Sequence, residues 1–481
     1  MTWCGAVLAD HAAARPTAPA IITEAETLDW AGFHRRIEGM AGALARGLAR
    51  DAPVALVMRD GIRHVVATFA LHRLGVPFLV LDPTDPPEVS AALAAAVGVR
   101  LTLGDGADAA TAPGAFAPLP LDAEGECPAP PPAGDAICLF SRSSGTTAGI
   151  PRLVATTHAM QSARALAVQD RMLLGPGDRY LAIVSNTFAL GRNSTYRAML
   201  SGGAMIFPPM LREVGDLVDV ARRRGATWAA VTPHHLRRLI AAAGEGMLLP
   251  AMRLVSVTAP LSAGDVQAIR RHVSPLLHNM YGTNEVGILA FAGPDDLDRQ
   301  PGSVGRAPTG ITVEAVDADG RTLPAGTVGE LRFGGGPFPD GYRAASSGGG
   351  RFVGEWYYPG DAGAVDADGY IHLHGRVDDV VNVGGRKILP RDVEDCARAH
   401  PAVADAAVVA LDERHLGAIA VVVFVGTIEP DALLAHCRER LGERRAPQAA
   451  IAVEAIPLTP IGKRDRRRLA EMALLATRRP A

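Results

Sequence analysis

Residues Tyr357 to Ile388 read YYPGDAGAVDADGYIHLHGRVDDVVNVGGRKI, and the rest of the chain is read outward from them. The stretch opens on a turn, Pro359-Gly360-Asp361. A second turn, Asp366-Ala367-Asp368-Gly369, separates two short apolar runs and predicts a β-hairpin. The second run, Tyr370 to His374, ends in Gly375-Arg376. Two acids follow, Asp378 and Asp379, then a Val-rich run, Gly384-Gly385 and the pair Arg386-Lys387. A strand end followed by charges and glycines suits a pivot that holds a polar ligand. A solvated hairpin and linker also fits, because Asp-Gly turns are common punctuation.

Beyond Gly385 the pattern predicts a helix over Val393 to Ala399, strands over Ala404 to Leu411 and Ala418 to Val425, and a helix over Pro430 to Leu441. That is a small α+β domain, and the boundary falls at Arg376–Asp379. Before the hairpin, 302–376 has short runs and turns, as in a β-rich appended sheet or barrel. Further back, strand and helix alternate. Phe33, Ile37, Met40, Leu44 and Leu48 mark an amphipathic helix over 31–50. Val54 to Met58 and Phe78 to Leu81 read as buried strands, and 104–134 as a loop rich in Ala, Pro, Gly and Asp. After a strand over Ala136 to Phe140, further strands are expected at Arg179–Ser185, Ala204–Phe207, Ala229–Val231 and Leu254–Val257. The expected fold class is α/β. It has a large N-terminal domain of α/β sheets plus a β-rich subdomain, residues 1–377, and a small α+β C-terminal lid, residues 378–481.

Composition narrows the function. The net charge of −3 gives no global field toward nucleic acid or an anionic membrane. Five cysteines with no Cys-x-x-Cys pair argue against a disulfide framework or a zinc site, and for a reducing, cytoplasmic setting. No apolar run is long enough to span a membrane, and the N-terminus does not read as a signal peptide.

The loop Ser141 to Arg152, SRSSGTTAGIPR, follows a predicted strand. Its small residues let backbone N–H groups approach an anion, and Ser143, Ser144, Thr146, Thr147 and Arg152 add donors and charge around Gly145. It lacks the Lys-Ser/Thr ending of a Walker A loop. A solvated Ser/Thr/Gly loop is the alternative. The run His278 to Glu285, HNMYGTNE, places Tyr281 beside Gly282, where a ring can stack on a flat base, and ends on Glu285, a potential ligand for a hard divalent cation.

Together these pieces resemble the adenylate-forming superfamily: acyl- and aryl-CoA synthetases, adenylation domains of non-ribosomal peptide synthetases, and luciferases. Leu71 to Pro83 is similar to an early family segment ending in Leu-Asp-Pro. Ser144 to Arg152 resembles the SGTTGxPK phosphate loop, and Tyr281 to Glu285 resembles YGxTE. Pro301 to Arg306 and Val328-Gly329-Glu330 match the next blocks, Pro359-Gly360-Asp361 resembles TGD, Gly375 to Asp379 matches GRxDD, and Ile461 to Arg466 resembles the terminal GKxxR block.

The resemblance implies ATP-dependent activation of a small carboxylic acid as its adenylate, then transfer to a thiol of CoA or a separate carrier protein, with Mg2+ as cofactor. Transfer to an amine, and a catalytically silent homologue, are the alternatives. It implies that Asp361 takes the ribose hydroxyls with Arg376 beside them, that Tyr281 stacks on adenine with Asn279 at its amine, and that Glu285 holds Mg2+. It further implies Asp378 as the hinge and Lys463 as the cation bridging carboxylate and α-phosphate.

Three departures stand out. Ala148 is an extra residue in the phosphate loop, which ends in Arg152 where the family has Lys. The YGxTE threonine is Asn284. The family's small Gly-Gly step near the acyl pocket reads Val257-Thr258. The mid-chain segment Val184 to Asn193 carries no acid to pair a substrate ammonium, which disfavours an α-amino acid. The run Phe188 to Gly191, with Asn186 and Asn193 near it, is similar to the corresponding run in aryl-acid ligases, and Val257 and Thr258 add bulk where a long acyl chain would pass, so the resemblance implies a flat aromatic or short unsaturated acid. Asn186 serving only as a helix cap is the alternative.

Overall fold

The computed structural model describes residues 3–59, 61–105, 113–120, 123–142, 152–209, 213–244, 246–259, 261–343, 350–384, 386–413, 416–458 and 464–477. The expected hairpin is present. Asp361–Val365 pairs antiparallel with Ile371–Arg376, and the register sets Asp361 directly opposite Arg376. Gly360 takes φ +80°, a left-handed conformation that glycine adopts without strain. A Cβ there would also lie 2.9 Å from Arg376 Nη2, so its absence makes room for the guanidinium.

The hairpin belongs to an antiparallel sheet with Thr312–Val316, Gly329–Gly334, Arg351–Val353 and Trp356–Tyr358. Val377–Asp379 then forms a single 3-10 turn. The next strand, Val381–Val383, lies in a different sheet with Arg386–Ile388, Val403–Glu413, Gly417–Gly426 and Ala449–Ala452. Helices Pro390–Arg398 and Pro430–Leu441 pack on it through Val393, Leu433 and Cys437. This is the small C-terminal α+β domain, and the turn carrying Asp378 connects the two sheets.

The large domain adds two α/β sheets. One has the strand order 115–118, 101–104, 54–57, 78–81, 137–142, 153–157. The other runs 287–292, 277–283, 253–256, 228–231, 179–181, 204–206, 19–22, 27–29. Interior pairs are parallel, and strands such as Val54–Val57 are buried at every residue because helices cover both faces. Leu56, Phe78 and Leu139 of one sheet share a core with Tyr180, Met205 and Trp228 of the other.

Four expectations are corrected. The amphipathic helix is Trp30–Leu44, ending short of 50, with the Asp29 side chain accepting from Gly32 N at 2.7 Å as its N-cap. The 104–134 segment is not all loop: Ala115–Pro118 pairs parallel with Leu101–Gly104. The strand expected over Arg179–Ser185 stops at Leu181, where Ile183 N turns back to the Leu181 carbonyl. The C-terminal helix of the small domain's first pair begins earlier than Val393, at Pro390, a residue favoured in a first helical turn.

Candidate active site

Asp361 and Arg376 face each other because the hairpin register shifts by one residue between Ala362 and Gly363, opposite Gly375 at φ +125°. Arg376 Nη1 donates to the Pro359 carbonyl at 2.8 Å and to Asp361 Oδ1 at 3.4 Å. Tyr281 reaches the same carboxylate from the strand Leu277–Thr283, its hydroxyl donating to Asp361 Oδ2 at 2.5 Å. Three sequence-predicted residues therefore meet, with 80 positions between Tyr281 and Asp361. Burial pushes the Asp361 carboxyl above the usual carboxylate range, outweighing the opposing pull of Arg376 and the Tyr281 hydrogen bond. Burial, reinforced by the Asp361 charge, pushes the Tyr281 phenol well up. Asn279 lies two residues before Tyr281 and is buried, its Nδ2 donating to the Ser303 carbonyl at 3.3 Å. Gly282 is needed for close packing: a Cβ there would collide with the Gly287 carbonyl across the strand pair.

Glu285 is only 5% exposed. The Tyr342 hydroxyl donates to its Oε1 at 3.2 Å, and the Arg152 guanidinium stacks 3.8 Å over the Tyr342 ring. Arg164 donates through Nη2 to the Glu285 carbonyl at 2.5 Å and through Nη1 to Thr156 Oγ1 at 3.1 Å. Burial lowers the Arg164 pKa to about 10, so it remains a cation at neutral pH. Asn284 donates to the Arg142 carbonyl at 3.0 Å, tying this turn to the strand that leads into the phosphate-loop segment. Tyr342 and Arg164 were not singled out in the sequence. Nothing local marks them, since each acts on a residue 57 or 121 positions away. Ser143, Ser144, Gly145, Thr146, Thr147 and Lys463 lie outside the described residues.

Residues 459–463 are bracketed by Leu458 and Arg464. Leu458 and Arg464 form an antiparallel bridge. Arg464 Nη1 lies 2.5 Å from Glu394 Oε2, and its Nη2 donates to Asp405 Oδ1 at 3.0 Å. Arg464 thus anchors this end of the segment to the small domain instead of joining a solvated basic face with the exposed Arg467 and Arg468. Asp378 is well exposed, with Oδ2 4.0 Å from Arg376 Nη2.

The mid-chain segment folds inward. Asn186 is buried and accepts from Thr195 Oγ1 at 2.8 Å, while Arg192 Nη1 donates to the carbonyls of Asn186 and Thr187 at 3.2 and 3.3 Å. Asn186 does not cap the helix Ala189–Leu200; Phe188 occupies the N-cap position, without a side-chain hydrogen bond. A carboxylate does reach this segment from elsewhere. Asp82, after the strand Phe78–Leu81, accepts from Thr187 Oγ1 at 2.9 Å and from Thr84 N and Oγ1 at 2.8 and 2.6 Å. Burial would raise its pKa, but the Thr84 and Thr187 hydrogen bonds and the charge of Arg142 bring it below the usual range. Val257 packs against the shared core. Thr258 next to it has φ +83°, and its buried Oγ1 has no hydrogen-bond partner among the described residues.

His235 is structural: its Nδ1 lies 3.1 Å from Thr232 Oγ1 in a helix-capping pair, and burial lowers its pKa to about 4. His372 and His374 contact Asp366 and Asp392 at 3.3 and 3.4 Å.

A two-sheet α/β body, a hairpin with an opposed carboxylate and guanidinium, and a small α+β domain beyond a one-turn connector define an adenylate-forming architecture. Sequence comparison agrees. Residues 8–342 match the model of the AMP-binding enzyme family, and residues 392–463 match that of the AMP-binding enzyme C-terminal domain. The sulfoacetate–CoA ligase of Cupriavidus necator is 31% identical over 359 residues, covering 73% of this chain and 70% of that protein. The salicyl-AMP ligase / salicyl-S-ArCP synthetase of Mycobacterium tuberculosis is 30% identical over 491 residues, covering 94% and 86%. The structure of ATP-bound MatB from Rhodopseudomonas palustris superposes with a TM-score of 0.86 at 23% identity, covering 98% of this chain and 99% of that one. The chain belongs to the AMP-binding enzyme family of the adenylate-forming superfamily and is an AMP-forming ligase that activates a carboxylic acid with ATP. Among the described residues, no helix is long and apolar enough to cross a membrane.

Proposed function

We propose that the acid is a flat aromatic or short unsaturated one and that the adenylate passes to a thiol, of CoA or of a carrier protein. The observation that carries the choice of acid is that Val184 to Asn193 holds no acid and contains a buried guanidinium, Arg192. A desolvated substrate ammonium there would lie near that cation, and the carboxylate that reaches the segment, Asp82, is already engaged by Thr84, Thr187 and the charge of Arg142. The salicyl-AMP ligase similarity over most of the chain points the same way.

Asp361 would receive the ribose hydroxyls, with Arg376 holding it in place, and Tyr281 and Asn279 would flank adenine. Ser143 to Thr147, Arg152, Gly282 and Asn284 would surround the phosphates. Mg2+ fits at Glu285: a buried carboxylate with one oxygen engaged by Tyr342 leaves an acceptor for a cation that normally takes one or two carboxylates plus substrate phosphates. When bound, it would neutralise developing phosphate charge. Attack on phosphorus needs such positioned charge more than an acid or base. Lys463, delivered by the small domain, would supply a further cation. We place the boundary of the two domains at 377/378 and the hinge at Asp378, whose turn separates two sheets and whose side chain is exposed.

Pyrophosphate exchange over benzoates, cinnamates, α-amino acids and fatty acids of graded length tests the acid. Addition of CoA, a carrier protein or an amine then tests the acceptor. A clear preference for α-amino acids or long chains overturns the acid assignment, and product only with the amine overturns the thiol.

A further inference from the structure

Four side chains that the adenylation chemistry does not use meet in the interior of the large domain. Cys4 comes from the N-terminal segment, His72 from the helix Ile62–Leu74, Cys138 from the strand Ile137–Arg142, and His158 opens the helix His158–Leu166. One donor atom of each lies within 4.8 Å of all the others, and none of the four residues is more than 2% exposed. Cys4 Sγ is 3.4 Å from His158 Nδ1. Donor atoms on a tetrahedral zinc stand about 3.3–3.8 Å apart, given Zn–S and Zn–N bonds of about 2.3 and 2.0–2.1 Å.

One donor atom is unsatisfied: His72 Nδ1 is buried without a hydrogen-bond partner among the described residues, while His158 Nδ1, which faces Cys4 Sγ, accepts from the Cys4 backbone N–H at 3.4 Å and Cys138 Sγ donates to the Thr156 carbonyl at 3.3 Å. His72 is also oriented: its Nε2 lies 2.5 Å from the Tyr196 hydroxyl, the outer-shell contact that fixes the ring of a metal-ligating histidine.

We infer that Cys4, His72, Cys138 and His158 form a closed structural site for one zinc ion. Two thiolates and two neutral imidazoles balance the double charge of the ion, so the complex is neutral in an interior that would not tolerate a net charge. Binding displaces the two thiol protons to solvent and changes no oxidation state. The four positions share no short spacing, which is why no Cys-x-x-Cys signal marks them.

The placement gives the site a structural task. Cys138 and His158 stand at the open end of the strand pair Ile137–Arg142 and Leu153–Thr157, where Ile137 pairs with Thr157. The same pair brackets the phosphate-loop segment at its other end. A metal there would pin the base of that hairpin to the N-terminal segment and the helix carrying His72.

The test is metal content of the full chain, expressed with added zinc and purified without chelator under a non-thiol reductant. About one zinc per chain is expected, surviving dialysis. Cobalt loaded in its place should give the sulfur-to-cobalt charge-transfer band of thiolate ligation. The Cys4→Ser/Cys138→Ser pair should lower zinc content at least about tenfold, Tyr196→Phe should weaken zinc affinity by about 10–100-fold, and Cys127→Ser, a buried cysteine outside the cluster, should leave it unchanged. If the double variant does not fold, the cobalt spectrum of the unaltered chain decides. Metal-free folded protein, a Cys4–Cys138 disulfide, or cobalt without the charge-transfer band would each overturn the site.

Discussion

The hairpin at 361–376 and the mid-chain segment at 184–193 both carry candidate ligand-binding residues, but they are built in opposite ways. In the hairpin the chemistry is local. The Asp-Gly turn starts the register, a one-residue shift beside Gly375 completes it by opposing Asp361 to Arg376, and only Tyr281 arrives from outside. In the mid-chain segment near and distant partners combine. Asn186 is turned inward by Thr195, its carbonyl is held by Arg192, and Thr187 is held by Asp82, 105 positions earlier. The first region can be read from sequence in its turns, which have residue signatures, though not in the shift beside Gly375. The second cannot, because its conformation depends on side chains that converge only after two sheets have shared a core.

The same distinction explains the rest of what was legible. Strand–helix alternation, the Asp-Gly turn and the change of character near Asp378 gave the two-domain layout, with errors at element ends. Tyr342, Arg164 and Asp82 carried no local mark. Arg164 sits in an ordinary amphipathic helix, and its role appears only when its guanidinium meets the Glu285 carbonyl. The zinc-ligand set is the extreme case, drawn from four separate elements.

The largest effect is expected at Lys463, the cation proposed for the small domain. Lys463→Ala should lower adenylate formation by about 10²-fold or more, while thioester formation from pre-made adenylate survives. Rapid-quench measurement of each half-reaction checks this, and equal loss of both would remove the assigned role. Asp378→Pro, which fixes φ near about −65°, should slow one half-reaction far more than the other.

Next is the hairpin carboxylate. Asp361→Asn should weaken AMP binding by about 10–150-fold, the equivalent of a charged hydrogen bond worth about 1.5–3 kcal/mol. Its pH dependence is a sharper probe. Burial raises the Asp361 pKa, so the carboxylate takes a proton at a higher pH than an ordinary one. Acceptance from the ribose is therefore complete above that raised pKa and lost as pH falls through it. AMP affinity by calorimetry should decline on acidification in the unaltered chain, and Asp361→Asn should flatten that limb. An unchanged limb would assign it to another group.

Tyr342→Phe removes one neutral-to-charged hydrogen bond to Glu285 and keeps the ring under Arg152. A loss of about 3 kcal/mol is the upper bound, and partial exposure of the tyrosine places the effect near about 1.5 kcal/mol. The Mg2+ concentration giving half-maximal pyrophosphate exchange should rise several-fold, with little change at saturating Mg2+. A fall in the saturated rate alone would separate Tyr342 from cation binding.

The smallest effect, and the one that bears most directly on the mid-chain side of the comparison, is at Thr258. A β-branched residue at φ +83° is held in a conformation that costs about 1–3 kcal/mol, and its buried hydroxyl adds an unmade hydrogen bond. Thr258→Gly relieves both terms but adds unfolded-state entropy of about 0.4–1 kcal/mol, so a net stabilisation of about 1 kcal/mol is expected. The thermal midpoint should rise by a small, measurable amount. A fall would show that the hydroxyl or methyl makes a contact that outweighs the strain. Because Thr258 follows Val257 at the edge of the shared core, the same variant should also admit bulkier acids in the pyrophosphate-exchange panel. A higher midpoint with an unchanged acid preference would leave the strain real but move the acid pocket away from this turn, and the mid-chain segment would then have to select its acid through Phe188 and Asn186 alone.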